Sequence, residues 1–256
     1  MATVESETGD HLGQAIDLIS AASRRGVPIR LLGGLAVRLL CSAFPPRTRA
    51  DQDMDLASVG TARSALGPFL AERGFVPDKE FNALYGHKQM YFRSPDGHRA
   101  LDVVIDRLDM CHVLDFRDRI DRMPYTLAPI DLLLSKLQIV ELNQKDLQDA
   151  VYLLAAFPIQ DDEESGALSP TRLCQVVCED WGWWRTVAGN LDRVTLLGPE
   201  ERARLVPPGA PFDPVAQAEE LRRRADEAPK SLRWRLRSKI GDRMRWYELP
   251  EEVAHH

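Results

Sequence analysis

The sequence predicts an α+β fold in which a small mixed sheet flanked by helices is followed by a helical C-terminal region. Strand patterns cluster before residue 128 and helical patterns dominate after it, without the regular alternation of a doubly wound sheet. Hydrophobic residues make up 44% of the 256 residues, which is enough for a packed core. We expect two domains: a core that ends in a helical pair over 1–158, and a helical region without an assigned role over 159–256.

The elements of the sheet region are predicted from hydrophobic periods and from the residues that interrupt them. Leu12, Ile16 and Ile19 share one face of a helix. The segment over 51–57 instead alternates with the period of two that places its aspartates on one face of a strand. The predicted elements are helices over 10–25, 35–41 and 61–73, and strands over 29–32, 51–57, 83–93, 99–105 and 125–127.

The second half of the chain is predicted to be helical. Pro129 occupies the first position of a helix, where its missing N–H leaves no bond unmade. We expect helices over 130–142 and 145–157, and another that begins at Ser169-Pro170 and carries Cys174 and Trp181. An acidic linker over 160–166 and a proline-rich segment over 207–214 separate these helices.

Composition excludes several classes of protein. The net charge of −6 does not fit a general nucleic-acid coat protein. The four cysteines form no CxxC pair of the kind that binds zinc. The chain opens without a signal-peptide pattern and has no apolar run long enough to cross a bilayer, so we expect a cytoplasmic protein without a membrane partner.

A glycine pair is the first candidate functional feature. Gly33-Gly34 follows a buried strand and precedes a helix. Glycine allows a sharp turn and a close ligand approach, and a helix N-terminus presents N–H groups with a positive dipole end. The pair therefore has the pattern of a phosphate cradle, although a plain tight turn would have the same pattern.

Two aspartates form the second candidate feature. Asp53 and Asp55 stand two residues apart on a predicted strand, so their carboxylates project from one face and can bind a hard cation such as Mg²⁺. The alternative is a solvated polar face. A calcium loop is a poor fit because Leu56 occupies the position where such a loop requires glycine.

The two features together resemble the DNA polymerase beta-like nucleotidyltransferase superfamily. The resemblance lies in Leu32-Gly33-Gly34 and in Asp53-Met54-Asp55-Leu56. It implies transfer of a nucleoside monophosphate from an NTP to a hydroxyl, with a two-ion Mg²⁺ site and a third carboxylate. Asp102 is the candidate for that carboxylate and Asp106 the reserve, while Arg49 would neutralise triphosphate charge, as its neighbour Arg47 could. The gap between the glycines and the aspartates is longer than is usual in the superfamily.

A later segment resembles the helical pair of AbiEii-type nucleotidyltransferases, some of which are toxins of toxin–antitoxin systems. The segment covers 129–137 and 145–149. By resemblance, Lys136 would contact the nucleotide phosphates and Asp146 would orient it. The same resemblance implies an RNA acceptor and an antitoxin protein as partner.

Three readings of the function remain open. The chain is an enzyme that modifies RNA, an enzyme that modifies a small molecule such as an antibiotic, or a non-catalytic module that binds nucleotides or a partner. The basic C-terminal segment bears on this choice because aromatic residues among arginines can bind RNA. We expect instead that Leu232, Leu236 and Ile240 form the buried stripe of an ordinary helix.

Overall fold

The computed structural model describes residues 2–45, 53–97, 99–162 and 166–249, with the side chains of helix α1 described from residue 11 onward. The described chain forms two compact units. The first unit comprises Met1–Leu108 and Asp115–Ala128, and the second unit comprises Asp109–Leu114 and Pro129–His256. The division falls at Ala128–Pro129, so the predicted helical pair packs with the later helices. A domain boundary near 158 stays a prediction.

The first unit contains the sheet. In chain order, its helices and strands are α1 (Ala2–Arg24), β1 (Ile29–Leu31), α2 (Gly33–Leu40), β2 (Met54–Ser58), α3 (Arg63–Ala71), β3 (Val76–Pro77), α4 (Lys79–Tyr85), β4 (Gln89–Arg93) and β5 (Ala100–Ile105). Next in the chain come β6 (Arg107–Asp109) and β7 (Val113–Asp115), which form a two-stranded ribbon; Asp109–Leu114 is grouped with the second unit. The α+β class with a mixed sheet is confirmed.

The sheet has the order β1-β2-β5-β4-β3. Strands β2 and β5 run parallel, and every other pair is antiparallel. One face is apolar, because Leu56, Phe92 and Val103 are each fully buried. Tyr125–Leu127 adds only a bridge, in which Thr126 pairs with Leu31, so the short strand predicted there is confirmed in part.

Two strand predictions differ from the structure. The strand expected over 83–93 is wrong over 83–88, where α4 ends at Tyr85 and a turn leads to β4 at Gln89. The Asp78 side chain accepts a hydrogen bond from the Phe81 N–H and so caps that helix at its N-terminus. The strand expected over 51–57 begins only at Met54; Asp53 lies in a bend just before it, and residues 51 and 52 lie outside the described part.

The second unit is built mainly from helices. They are α5 (Pro129–Leu137), α6 (Gln144–Ala156), α7 (Pro170–Val177), α8 (Trp181–Thr195), α9 (Pro199–Leu205), α10 (Pro214–Glu227) and α11 (Leu232–Ser238). Helix α5 is buried along its whole length. The predicted helix over 130–142 ends five residues early, at Leu137, where the Asn190 amide donates to the backbone oxygens of Leu137 and Ile139.

Two further predictions in the second unit are wrong. Trp181 does not continue the helix of Cys174, because the Asp180 side chain accepts from the Trp183 N–H and begins α8 there. The expected buried stripe of the last helix is exposed, with Leu232 at 69% and Leu236 at 55%. Helix α11 packs on α8 through an aromatic contact of Trp234 instead.

The described helices include none that combines the length and the apolarity needed to cross a bilayer.

Candidate active site

Two carboxylates are aligned on neighbouring parallel strands. Asp55 on β2 is the direct partner of Asp102 on β5, so both side chains project from the same face of the sheet. Both are half-buried, whereas Leu56 and Val103, the next residues on each strand, are fully buried on the opposite face. Because successive side chains of a strand point to opposite faces of the sheet, Asp55 and Asp102 lie on the face opposite the buried one.

Gly33 lies directly against the carboxylate of Asp55. Its φ of +64° is in the left-handed region, which side chains disfavour. A Cβ at this position would overlap Asp55 Oδ2 and would stand 3.0 Å from Cγ and 3.2 Å from Cβ of the same side chain. Glycine is required here for both the backbone conformation and the space of the carboxylate.

The start of helix α2 is fixed to the strand that carries Asp55. The Leu32 N–H donates to the Asp55 backbone oxygen at 2.9 Å, and Leu32 supplies no side-chain cap to the helix. Gly33 and Gly34 are the first two residues of this eight-residue helix. The positive end of the helix dipole thus lies beside the Asp55 carboxylate, which it stabilises.

Besides burial, the charges of Asp53 and Asp102 both raise the pKa of the neighbouring Tyr91 phenol. Tyr91 on β4 is the direct partner of Asp102. Burial, then the charge of Asp102, raises the pKa of Tyr91, and Asp53 contributes in the same direction while Arg93 opposes it. Asp53 is exposed and stands two residues before Asp55. The three predicted carboxylates therefore belong to one region of the first unit.

Asp106, the reserve candidate, is hydrogen-bonded to the backbone near the end of β5. Its backbone is left-handed, with a φ of +66°. Its Oδ1 accepts from the Gly60 N–H at 2.8 Å, and its own N–H donates to the Ser58 oxygen. Because β5 ends at Ile105, Asp106 does not continue the face that carries Asp102.

A glutamine that the sequence did not single out contacts the site. Gln89 Nε2 donates to Asp102 Oδ1 at 2.7 Å. Gln89 stands two residues before Tyr91 on β4, so both side chains project from the same face. The period-two pattern of β4 was the available signal, but a glutamine in a strand does not by itself indicate a functional site.

The donor set fits a hard divalent cation. Carboxylate oxygens are the ligands that Mg²⁺ prefers, and Asp55 and Asp102 supply them from adjacent strands. Among the described residues, no three Asp, Glu, His or Cys side chains are grouped as they would be around a bound metal. The geometry is therefore that of an aligned pair, with Asp53 as a nearby third carboxylate. Arg49 and Arg47 lie outside the described residues.

Lys136 and Asp146 are brought together in the second unit. Lys136 Nζ lies 2.8 Å from Asp146 Oδ1 and 3.0 Å from Asp149 Oδ2, and the lysine side chain is only 10% exposed. Asn143 donates to the other oxygen of Asp146. The contact expected between Lys136 and Asp146 is present, and Asp149, which the sequence did not indicate, is a second partner of the lysine.

Comparisons with known proteins find distant structural similarity alone. No family model matches the chain, and no curated protein matches it. A solution structure of the antibiotic-resistance factor ANT(2'')-Ia is 16% identical, covers 59% of this chain and 84% of its own, and has a TM-score of 0.39. A crystal structure of ANT(2'')-Ia with adenylyl-2''-tobramycin is 14% identical, with coverages of 56% and 87% and a TM-score of 0.40.

A third similar structure is an antigenic nucleotidyltransferase-like protein from Paracoccidioides brasiliensis. It is 15% identical, covers 79% of this chain and 93% of its own, and has a TM-score of 0.42. Similarity at this level leaves the function to be argued from the residues of this chain.

Proposed function

We propose that the first unit is the catalytic part of a metal-dependent nucleotidyltransferase, which transfers a nucleoside monophosphate from an NTP to a hydroxyl group. The observation that carries the proposal is the register of Asp55 and Asp102, with Gly33 packed against the Asp55 carboxylate at the start of α2. In this proposal the carboxylate pair would bind the cation beside a helix N-terminus that would hold phosphate.

In this proposal, Asp53, Asp55 and Asp102 hold Mg²⁺, in a two-ion site. When bound, Mg²⁺ would neutralise the triphosphate and favour the ionised acceptor hydroxyl. Gly33 and Gly34 allow the phosphates to approach the N–H groups of α2 closely.

Asp102 would accept the proton of the acceptor hydroxyl. The acceptor oxygen then forms a bond to the α-phosphorus, and the bond from that phosphorus to the β-phosphate oxygen breaks. Pyrophosphate leaves with the electron pair of the broken bond, so atoms and charge balance.

Roles for Arg49 and Lys136 are proposed on the resemblance alone. Lys136 already neutralises two carboxylates, and its ammonium group has little exposed surface. A phosphate would therefore share this lysine with Asp146 and Asp149. Its contribution to NTP binding is best measured separately from that of Asp53 and Asp55.

We further propose RNA as the acceptor. The support is a set of exposed cations in the C-terminal segment, where nucleic-acid backbones bind through charge. The set comprises Arg233, Arg235, Lys239, Arg243 and Arg245. The antibiotic-type acceptor and the antitoxin partner stay predictions, since no described contact favours either one.

Calorimetric titration with Mg²⁺ and a non-hydrolysable NTP tests the site. We expect binding to wild type, no measurable binding to a variant carrying Asp53→Ala and Asp55→Ala, and normal binding to Asp118→Ala, which changes an exposed aspartate of the same unit. Equal binding to wild type and the double variant would refute the site assignment. NTP binding by wild type without any transfer would favour the non-catalytic module.

Incubation with each labelled NTP and total RNA then tests the acceptor. Label in RNA that depends on Asp55 supports the RNA reading. Transfer of label to a small molecule alone, with normal NTP binding, contradicts it.

A further inference from the structure

The amide of Gln89 holds one oxygen of the Asp102 carboxylate. Its Nε2 donates to Asp102 Oδ1 at 2.7 Å, between side chains that are each half-buried. The donor must be the amide nitrogen, because a carboxylate accepts and does not donate. A donor on one oxygen fixes the plane of the carboxyl group, which otherwise rotates over a broad range.

The strand that carries Gln89 is itself held in place. Asn82 on α4 accepts from the Tyr91 N–H at 2.7 Å and donates to the Tyr91 oxygen at 3.0 Å. On the other side, the Ile105 N–H donates to the Lys88 oxygen at 2.8 Å. Because backbone bonds fix β4 on both sides of Gln89, the amide is presented to Asp102 from a rigid element.

The charge of the residue matters as well as its position. A lysine or arginine at position 89 would neutralise Asp102 and repel a cation, whereas a neutral amide orients the carboxylate without adding a positive charge beside it. Partners of this kind around metal ligands typically change metal affinity by about 10–100-fold when they are removed.

From these contacts we propose that Gln89 is a positioning residue, which holds Asp102 in the orientation in which Asp102 and Asp55 bind one divalent cation. The inference rests on the proposed function, because it assigns a task to a residue that acts through Asp102. Gln89 itself contacts neither substrate nor metal in this proposal.

Binding of Mn²⁺, followed by the electron paramagnetic resonance signal of free Mn²⁺, tests the inference without relying on turnover. Gln89→Leu removes the amide at similar size, and we expect it to weaken Mn²⁺ binding about 10–100-fold. Gln175→Leu, at an exposed glutamine on α7, is the matched control and should bind as wild type does. If Gln89→Leu does not fold, Gln89→Asn, which shortens the amide by one methylene, gives the same comparison.

A double-mutant cycle separates positioning from a general effect on the fold. If Gln89 acts through Asp102, then Gln89→Leu should cause no further loss of Mn²⁺ affinity in an Asp102→Asn background. In assays of NMP transfer at saturating Mg²⁺, Gln89→Leu should lower kcat and leave the KM for NTP within about twofold, because the amide does not contact the nucleotide.

The outcomes distinguish this inference from the proposed function. Wild-type binding of Mn²⁺ that depends on Asp55 but is unchanged in Gln89→Leu would overturn the inference and leave the proposed function standing. Additive losses in the cycle would also overturn it. Absence of Mn²⁺ and NTP binding by wild type would overturn both.

Discussion

Gly33 and Asp55 occupy positions that exclude any side chain at residue 33. The left-handed φ of +64° and the carboxylate packed against the missing Cβ are independent reasons for glycine at the same residue. The Leu32 N–H, bonded to the Asp55 backbone oxygen, fixes both at the junction of β1, α2 and β2. The glycine motif and the aspartate motif, which are 20 residues apart in sequence, therefore form one structural unit.

Gly33→Ala should displace the Asp55 carboxylate and abolish Mg²⁺-dependent NTP binding. The left-handed backbone alone costs about 1–2 kcal/mol for a non-glycine residue. Gly26→Ala is the matched control, because Gly26 has a φ of +68° and nothing within 4 Å of its Cβ position. Both variants should lose stability in urea unfolding, and only Gly33→Ala should lose NTP binding by calorimetry. Normal NTP binding by Gly33→Ala would show that the Asp55 position is not needed.

Asp102→Asn and Asp106→Asn should separate a catalytic from a structural carboxylate. We expect Asp102→Asn to lower NMP transfer by about 10²–10⁴-fold, the range for loss of a general base. Asp106→Asn should retain transfer within a few-fold, because asparagine tolerates a left-handed backbone and can still accept from the Gly60 N–H. The measurement is the initial rate with labelled NTP. A larger loss in Asp106→Asn than in Asp102→Asn would reverse the two roles.

The sequence predicted local features of the site, but it did not predict the register of the two strands that carry Asp55 and Asp102. Period two predicted the strand that carries Asp55, although Asp53 lies in a bend just before that strand, and the glycine pair marked the start of α2. The pairing of Asp55 with Asp102 depends on a parallel contact between strands that are separated by α3 and α4, which no local pattern specifies. The bond from Gln89 to Asp102 depends on that same tertiary arrangement.

The errors have local physical causes that the hydrophobic pattern does not contain. The helix α4 was missed because the side-chain cap of Asp78 outweighs the strand-like alternation of the residues that follow. The exposed stripe of α11 was missed because helical periodicity identifies an apolar face without saying whether another element covers it. Trp234, whose ring packs against Trp184, and Arg237, which lies over the ring of Trp181, attach this helix to α8.

Lys136→Met should destabilise the second unit because it removes the ammonium group that contacts both Asp146 and Asp149. Breaking a buried ion pair on one side costs about 3–5 kcal/mol. Adding Asp149→Asn to Lys136→Met should recover part of that loss, since Asp149 is 1% exposed and then carries no charge. Free energies of unfolding in urea provide the measurement. Unchanged stability in Lys136→Met would mean that the two contacts contribute nothing to the free energy of unfolding. NTP binding by this variant should be measured under conditions in which the variant is folded.

Stability should fall below neutral pH because of His112. Burial, opposed in part by Asp180, lowers the pKa of His112 to about 4 from its ordinary value of 6.5. The ring packs 5.0 Å from that of Trp183, and its Nε2 bonds to the Thr186 hydroxyl. Between pH 6.5 and 4 the unfolded chain binds a proton at this residue that the folded chain does not, so stability is lost as pH falls through this range. The full loss is on the order of 3 kcal/mol, from the 1.36 kcal/mol per pKa unit.

The matched pair His112→Gln and His87→Gln tests this assignment. Urea unfolding of wild type at pH 7 and at pH 4.5 should show the decrease, and His87→Gln should show the same decrease because His87 is exposed. The glutamine at 112 cannot be protonated, so that variant should lose much less stability between the two pH values, although its stability at pH 7 will also differ. An equal decrease in wild type and His112→Gln would assign the pH dependence to other groups. A buried histidine makes stability depend on pH only because it binds a proton in the unfolded chain and not in the folded chain.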